Sequence, residues 1–281
     1  MLSQRIFAPS WENYELIDAG GGEKLERWGS VVTIRPDINA YFKSEKTKSE
    51  WQKIAHFQFK EEKGAYGHWK NLANLPEEWN IFYHNLSFKI GLKNTKHTGV
   101  FPEQSMNWEK IKRLASSETK FLNLFAYSGV SSVIAGSLGA EVIHVDSSKT
   151  ALNWARENFH NNGFTTGKLV HEDALLFMER EIKRKHRYSL IQMDPPAWGI
   201  GTKGKKWQLE NQLDSLLQHA ASLLTEDGSL ILSTYTPKIT ADNLNEIAAF
   251  IFPSKTIKTG VLCTKSTSGK VLEHGCLLHV L

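Results

Sequence analysis

Two cysteines among 281 residues exclude a disulfide framework, and neither stands at the short paired spacing of a zinc site. A reducing compartment and no metal are expected. Long apolar runs are missing as well. No stretch approaches the roughly 18 residues of a membrane span, and MLSQRIFAPSWENYELID has no basic segment leading into an apolar core of signal-peptide type. The protein is therefore expected in the cytoplasm, with no membrane partner. Neither sign of charge dominates: 34 Lys and Arg face 30 Asp and Glu, for a net charge of +4 and a pI near 8.9. That balance permits a polyanionic partner without announcing one. Internal repeats and low-complexity tracts are lacking too, and the spacing is silent on oligomeric state.

What the chain does have is an ordinary globular composition, 41% hydrophobic and 23% charged, enough for a packed core. Its texture changes near residue 105. Before that point aromatics sit in short alternating segments, such as WGSVVTIRP (28–36), IAHFQFKEE (54–62) and LSFKIGL (86–92), separated by Gly, Pro and Asn. Residues 1–104 thus read as a small β-rich N-terminal domain. From 105 to 281 apolar runs of strand length alternate with helical patterns, the signature of a parallel sheet with crossover helices. Leu152, Ala155 and Phe159 share one helical face, with Asn162 and Gly163 as a stop. Leu209, Leu213, Leu216, Leu217 and Ala220 share another, predicting a helix over 207–228. Residues 259–281 read as two strands joined by a Ser/Gly turn, paired antiparallel.

In such a sheet the ligand lies at the carboxyl ends of the strands, beside the point where strand order reverses. The first predicted strand, FLNLFAY (121–127), ends in Ala126-Tyr127-Ser128-Gly129, the second in Asp146, the third in Asp173 and the fourth in Asp194-Pro195-Pro196. Asp146 is placed to accept hydrogen bonds from ribose hydroxyls, which fits NAD or S-adenosylmethionine. Asp173 either accepts from an adenine amine or caps the next helix. The first turn carries only Gly129, so the glycine pattern that lays a pyrophosphate on a helix N-terminus is missing there, which argues against NAD. In IQMDPPAWG (191–199) the two prolines stop the strand and stiffen the turn that presents Asp194.

Asn123-Leu124-Phe125-Ala126-Tyr127-Ser128-Gly129 and Asp194-Pro195-Pro196-Ala197-Trp198 resemble the first and fourth motifs of class I S-adenosylmethionine-dependent methyltransferases, in particular the bacterial 23S rRNA methyltransferase group. The resemblance spans roughly residues 99–235, and the short N-terminal part is similar to a subgroup without a separate RNA-binding module. It implies an α/β Rossmann-like seven-stranded sheet, mostly parallel with an antiparallel last strand. It also implies S-adenosyl-L-methionine as cofactor and RNA, especially rRNA, as acceptor. By the same resemblance Asn123 and Phe125 to Gly129 would hold the methionine part. Asp146 with Ser147 would hold the ribose, Asp173 with Ala174 the adenine, and Phe101 and Gln104 would border the cofactor. Asp194, Pro195, Pro196 and Trp198 would line the methyl-transfer cleft as the catalytic set.

The group's members that methylate carbon 5 of a pyrimidine carry a cysteine near the end of the fifth strand. Here that stretch is LSTYTP, so attack by a nitrogen is favoured. Lys203, Lys205 and Lys206, in a glycine loop at 199–210, could grip an RNA backbone or be solvated linker residues. A protein or small-molecule methyltransferase, and a noncatalytic nucleic-acid-binding module, are the competing readings.

Overall fold

The computed structural model describes residues 4–63, 66–200 and 206–281. They fall into two compact units. One comprises the chain start through Ile6, Asn107–Leu262 and Gly275–Leu281, and the other Phe7–Met106 with Cys263–His274. The chain therefore passes from one unit to the other more than once, and the tip of the terminal strand pair belongs with the N-terminal stretch.

The chain begins with β1 (Arg5–Phe7) and enters the smaller unit. There β2 (Tyr14–Gly20), β3 (Glu23–Trp28), β4 (Val31–Pro36), β5 (Phe57–Lys63) and β6 (Tyr66–Asn71) form one sheet in sequence order. Neighbours pair antiparallel except β4 and β5, which run parallel. A parallel pair needs a crossover, and α1 (Lys48–Ile54) supplies it, started by a capping box in which Thr47 and Glu50 satisfy each other's backbone N–H. A hairpin of β7 (Glu78–Tyr83) and β8 (Leu86–Gly91) makes a second small sheet. Besides the apolar core of Leu25, Ile34 and Trp51, this unit holds a buried ion network. Glu26 accepts from Tyr14 Oη at 2.8 Å and from Arg35 through both Nε and Nη2, while Lys24 bridges to Asp37 at 3.0 Å. Burial alone would raise the Glu26 pKa, but the Arg35 and Lys24 charges outweigh it and hold the group at about 2.

The larger unit follows with α2 (Ser105–Leu114), β9 (Lys120–Leu124), α3 (Val130–Ser137), β10 (Glu141–Asp146), α4 (Lys149–Asn161), β11 (Lys168–His171), α5 (Ala174–Lys183), β12 (Tyr188–Met193), β13 (Trp198–Ile200), β14 (Lys206–Gln208), α6 (Leu213–Leu223), β15 (Leu224–Thr234), α7 (Ala241–Ile251), β16 (Ile257–Lys265) and β17 (Val271–Val280). The sheet order is β1-β16-β17-β15-β12-β9-β10-β11. Strands β11, β10, β9, β12 and β15 are mutually parallel, and β17 is antiparallel to β15. The α/β class and the antiparallel last strand stand as expected. The sheet has eight strands rather than seven, because the short β1 adds an edge beside β16. Strand order reverses between β9 and β12, the position at which such sheets bind ligands.

One sheet face carries Leu122, Leu124, Ile191, Met193, Leu230 and Leu232 into a core closed by Phe177, Met178, Leu216, Leu217 and Leu244 of α5, α6 and α7. The opposite face follows from the period-two alternation of a strand, and it is unusually polar: His144, Asn123, Gln192 and His279 are all buried there. The helix predicted over 207–228 is shorter. Trp207 and Gln208 pair with Gly199 and Trp198, and Leu224 already pairs with Tyr188. From that pair to Leu190↔Ser229, β15 takes five residue steps against two on β12, so Asp227 and Gly228, the end of the predicted helix, lie in a strand bulge.

Candidate active site

Beyond Leu124 five residues turn the chain from β9 into α3. Phe125 (φ 55°), Tyr127 (φ 49°) and Gly129 (φ 85°) all adopt left-handed backbone, at about 1–2 kcal/mol for each of the two non-glycine residues. The surroundings hold this strained turn from three sides. Ala126 N–H donates to Val145 O (3.1 Å), Tyr127 N–H to Asp146 Oδ2 (2.9 Å), and Asn158 Nδ2 on α4 to Ser128 O (2.8 Å). At Gly129 an added Cβ would lie 3.1 Å from both Ala155 Cβ and Phe159 Cε1. The left-handed conformation favours glycine there, and a Cβ would press on both neighbours.

Asp146, half-buried at the end of β10, accepts Tyr127 N–H on Oδ2 and Ser148 N–H on Oδ1 (2.8 Å). A carboxylate has about four acceptor positions, so these two bonds leave one on each oxygen, a pattern that suits two vicinal hydroxyls. Burial raises its pKa, and the Ser148 and Tyr127 N–H groups partly offset the rise. Ser147 is exposed, and its carbonyl lies 2.9 Å from His171 Nε2. His171 was not foreseen, and nothing in its spacing marked it. Asp173 is the N-cap of α5, its Oδ1 accepting Leu176 N–H at 3.2 Å, with Ala174 buried behind it. The capping reading is thus realised through one oxygen.

Asn123 is 2% exposed and faces inward. Its Nδ2 donates to Ser132 Oγ (2.9 Å), which lies 3.0 Å from His144 Nδ1. Burial pushes the His144 pKa down to about 3, so the ring is neutral.

Asp194 follows β12, and its N–H reaches Leu124 O at 3.4 Å, drawing the two motif turns together at the switch point. Pro195 is buried, Pro196 exposed, and Trp198 stands 67% exposed on β13. Trp207 on β14 joins the two turns. Its Nε1 donates to Pro196 O at 2.6 Å, and its ring packs on Phe125 with centroids 5.2 Å apart. Sequence reasoning missed Trp207 because its segment was read as helix. Lys206 is exposed on the same strand, while Lys203 and Lys205 lie outside the described residues. Phe101 and Gln104 belong to the other compact unit, where Gln104 is buried and Phe101 packs on His97 at 5.4 Å. Cys276 pairs with Thr234 and so lies nearer a strand end than chain order suggests. It is buried, with Sγ donating to Ile239 O at 3.4 Å.

Among the described residues no three His, Cys, Asp or Glu side chains group as metal ligands, and no helix is long and apolar enough to cross a membrane. A parallel sheet with a strained, single-glycine turn and acidic strand ends defines a nucleoside-binding α/β protein without a pyrophosphate cradle. Comparison with known proteins narrows that class. Residues 51–260 match the family model described as S-adenosylmethionine-dependent methyltransferase. The crystal structure of the SAM-dependent methyltransferase from Agrobacterium tumefaciens superposes with a TM-score of 0.93 at 30% identity, covering 100% of this chain and 94% of that one. Ribosomal RNA large subunit methyltransferase K of Neisseria meningitidis serogroup B is 30% identical over 180 residues, 63% of this chain and 51% of that protein. Methyltransferase K/L of Magnetococcus marinus is 31% identical over 193 residues, 66% of this chain and 26% of that protein. The chain thus spans about half, or less, of the curated relatives it matches. It belongs to the S-adenosylmethionine-dependent methyltransferase family, and S-adenosylmethionine is its cofactor.

Proposed function

We propose that this enzyme methylates RNA, with ribosomal RNA as the favoured acceptor, at a ring or exocyclic nitrogen and in the cytoplasm. The observation that carries the reading is the Asp194-Pro195-Pro196 turn with the exposed Trp198 beside it: a carboxylate and an open aromatic face at the switch point suit a planar base bearing an amine or ring nitrogen. The names of the curated relatives support the acceptor class. The cofactor site fits its ligand. Asp146 has two open acceptor positions for the ribose, the Phe125–Gly129 turn takes the methionine part, and Asp173 keeps its second oxygen for the adenine amine.

When bound, S-adenosylmethionine supplies an already activated methyl group, so the protein's work is alignment. Trp207 fixes the Pro196 carbonyl, the stiff turn presents Asp194, and Trp198 stacks the base so that a nitrogen lone pair faces the cleft. Asp194 accepts a hydrogen bond from the amine and holds its orientation. Nitrogen is favoured because the β15 end offers Ser233, Thr234 and Tyr235, with no thiol among them to add to a pyrimidine ring.

The test is transfer of labelled methyl to unmodified 23S rRNA transcribed in vitro, followed by nucleoside mass spectrometry. An N-methylated base is expected. Replacing Lys203, Lys205 and Lys206 together by Ala should flatten the slope of log K against log salt by about two to three, at roughly 0.7 to 0.9 per lost phosphate contact. An unchanged slope with no methyl incorporation would shift the reading to a protein or small-molecule acceptor.

A further inference from the structure

Thr256 and Leu281 exchange both backbone hydrogen bonds, at 2.9 and 3.0 Å, as a directly opposed antiparallel pair does. Two residues further in, Lys258 on β16 therefore stands opposite His279 on β17, and opposed residues share a face of the sheet. That face carries α2, since His279 Nε2 lies 3.2 Å from Asn107 Oδ1. Lys110 follows Asn107 by three residues and Arg113 follows Lys110 by three, so each neighbours the one before on the helix surface. Three cations from two elements thus gather on one side of the sheet, all within the larger unit.

No carboxylate offsets them. Glu109, the acidic residue of α2, bonds Lys112 at 3.1 Å, and among the described residues Lys110, Arg113 and Lys258 have no ion-pair partner. Arg113 and Lys258 are exposed and Lys110 is half-buried. Burial holds the Lys110 pKa below its ordinary value, and the Lys258 and Arg113 charges add to the effect. Like charges gathered and partly desolvated repel one another, and an anion arriving from solvent relieves them. The position of the row indicates which anion. Asn107 Nδ2 donates to Ser233 Oγ at 2.9 Å, one residue short of the carboxyl end of β15, where the ligands of such a sheet bind. His279 pairs with Ile231, two residues farther from that end. The row therefore runs from the strand end back along the sheet, with Arg113 about 9 Å along the helix axis from Asn107. A line of cations leading off from the cleft fits a chain of phosphates rather than one compact anion.

We propose that Lys110, Arg113 and Lys258 form a phosphate-binding track that holds the RNA backbone leading to the acceptor base. The proposal rests on the RNA reading above. The track supplies grip and register and makes no choice of base, since phosphate contacts carry no sequence information.

The test compares wild type, the triple variant Lys110→Gln, Arg113→Gln, Lys258→Gln, and Lys258→Gln alone, on unmodified 23S rRNA transcribed in vitro. RNA affinity is read across a salt series, with S-adenosylmethionine affinity by calorimetry and urea midpoints alongside. The triple variant is expected to bind RNA at least about tenfold more weakly near 0.1 M salt. Its slope of log K against log salt should flatten by about two, at roughly 0.7 per lost contact on a single strand, and Lys258→Gln alone should flatten it by about 0.7. The loss in kcat/KM should appear chiefly in KM, with cofactor affinity within twofold of wild type. A merely structural role would lower the urea midpoint, whereas removing mutual repulsion should hold or raise it. Unchanged RNA affinity and salt slope in the variants, with wild type methylating the RNA, overturn this proposal alone, and the single variant decides if the triple one does not fold. A wild-type protein that binds S-adenosylmethionine but neither binds nor methylates RNA overturns the RNA reading, and this proposal with it.

Discussion

Two of the acceptor positions of Asp146 tie the strained Tyr127 turn and the start of α4, and two are left over for the ribose that we propose it holds. Asp146→Ala is expected to weaken S-adenosylmethionine binding by about 10- to 150-fold, equivalent to losing about 1.5–3 kcal/mol of charge-assisted hydrogen bonding. Calorimetry on folded variant checks this, and unchanged affinity would remove Asp146 from the ribose site. The pH dependence has a definite sign. Burial raises the Asp146 pKa, so affinity should fall on acidification from a higher pH than an ordinary carboxylate would give. The same shift means that the folded state keeps this proton longer than the unfolded chain does. Ionising Asp146 therefore costs stability as pH rises through the window between the two pKa values. A carboxylate kept at a stability cost is a mark of a functional position.

At the scale of elements, the decisive piece is the Phe125–Gly129 turn and what surrounds it. Its left-handed residues are held by β10, by Asn158 of α4 and by the Trp207 ring of the β13–β14 hairpin. Gly129→Ala puts a side chain on a residue at φ 85°, with its Cβ 3.1 Å from side-chain atoms of Ala155 and Phe159. Urea denaturation should show a loss of about 1–2 kcal/mol from the backbone conformation alone, with cofactor affinity falling alongside because the turn cannot relax independently. Equal stability in the variant would show that α3 shifts to admit the methyl. The turn's importance was legible from its residues, since Tyr-Ser-Gly after an apolar strand is a poor pyrophosphate cradle. Its strain was not legible, because Phe and Tyr seldom take positive φ and the partners that hold the turn, Val145, Asp146, Asn158 and Trp207, are distant in sequence. The hairpin was hidden for a related reason: Leu209 continues the helical stripe of Leu213, Leu216 and Ala220, yet Trp207 and Gln208 pair with Gly199 and Trp198, and Leu209 N–H donates to Ala197 O.

Across the whole molecule, buried neutral histidines set the acid limit. Burial lowers His144 to about 3 and both His97 and His279 to about 4. His279 is the partner of Asn107, which in turn donates to Ser233 Oγ at 2.9 Å. Each depressed group contributes stability that is fully present above the unfolded pKa near 6.5 and is lost as pH falls toward its folded value. Between about pH 6 and 4.5 each should steepen the loss by up to about 1.4 kcal/mol per pH unit. His144 and His279 lie in the larger unit and His97 in the smaller. Urea midpoints measured from pH 7.5 to 4.5 are expected to drop steadily below 6.5, and His279→Gln should reduce the slope by one proton's worth. A flat profile would show that these rings are charged in the fold.

The strand ends and the alternation of strands and helices within 120–235 could be read from the chain alone, because they rest on local signals, period-two runs and proline stops, while the cofactor came with the resemblance of the motifs and the order of strands in the sheet only with the fold. The Asp146 and Asp194 positions needed no neighbour to be noticed. Asn123 shows the limit of that reading, since the strand's alternation put it on the inner face, where its amide donates to Ser132, which in turn contacts His144. Trp207 shows the same limit from the other direction, as it gains its place from Phe125, a partner distant in sequence. The assignment of residues 263–274 to the N-terminal unit and the added edge strand β1 are likewise matters of long-range pairing. Such pairing is decided by which backbone groups find partners once the sheet has closed, a competition that no short window of sequence contains.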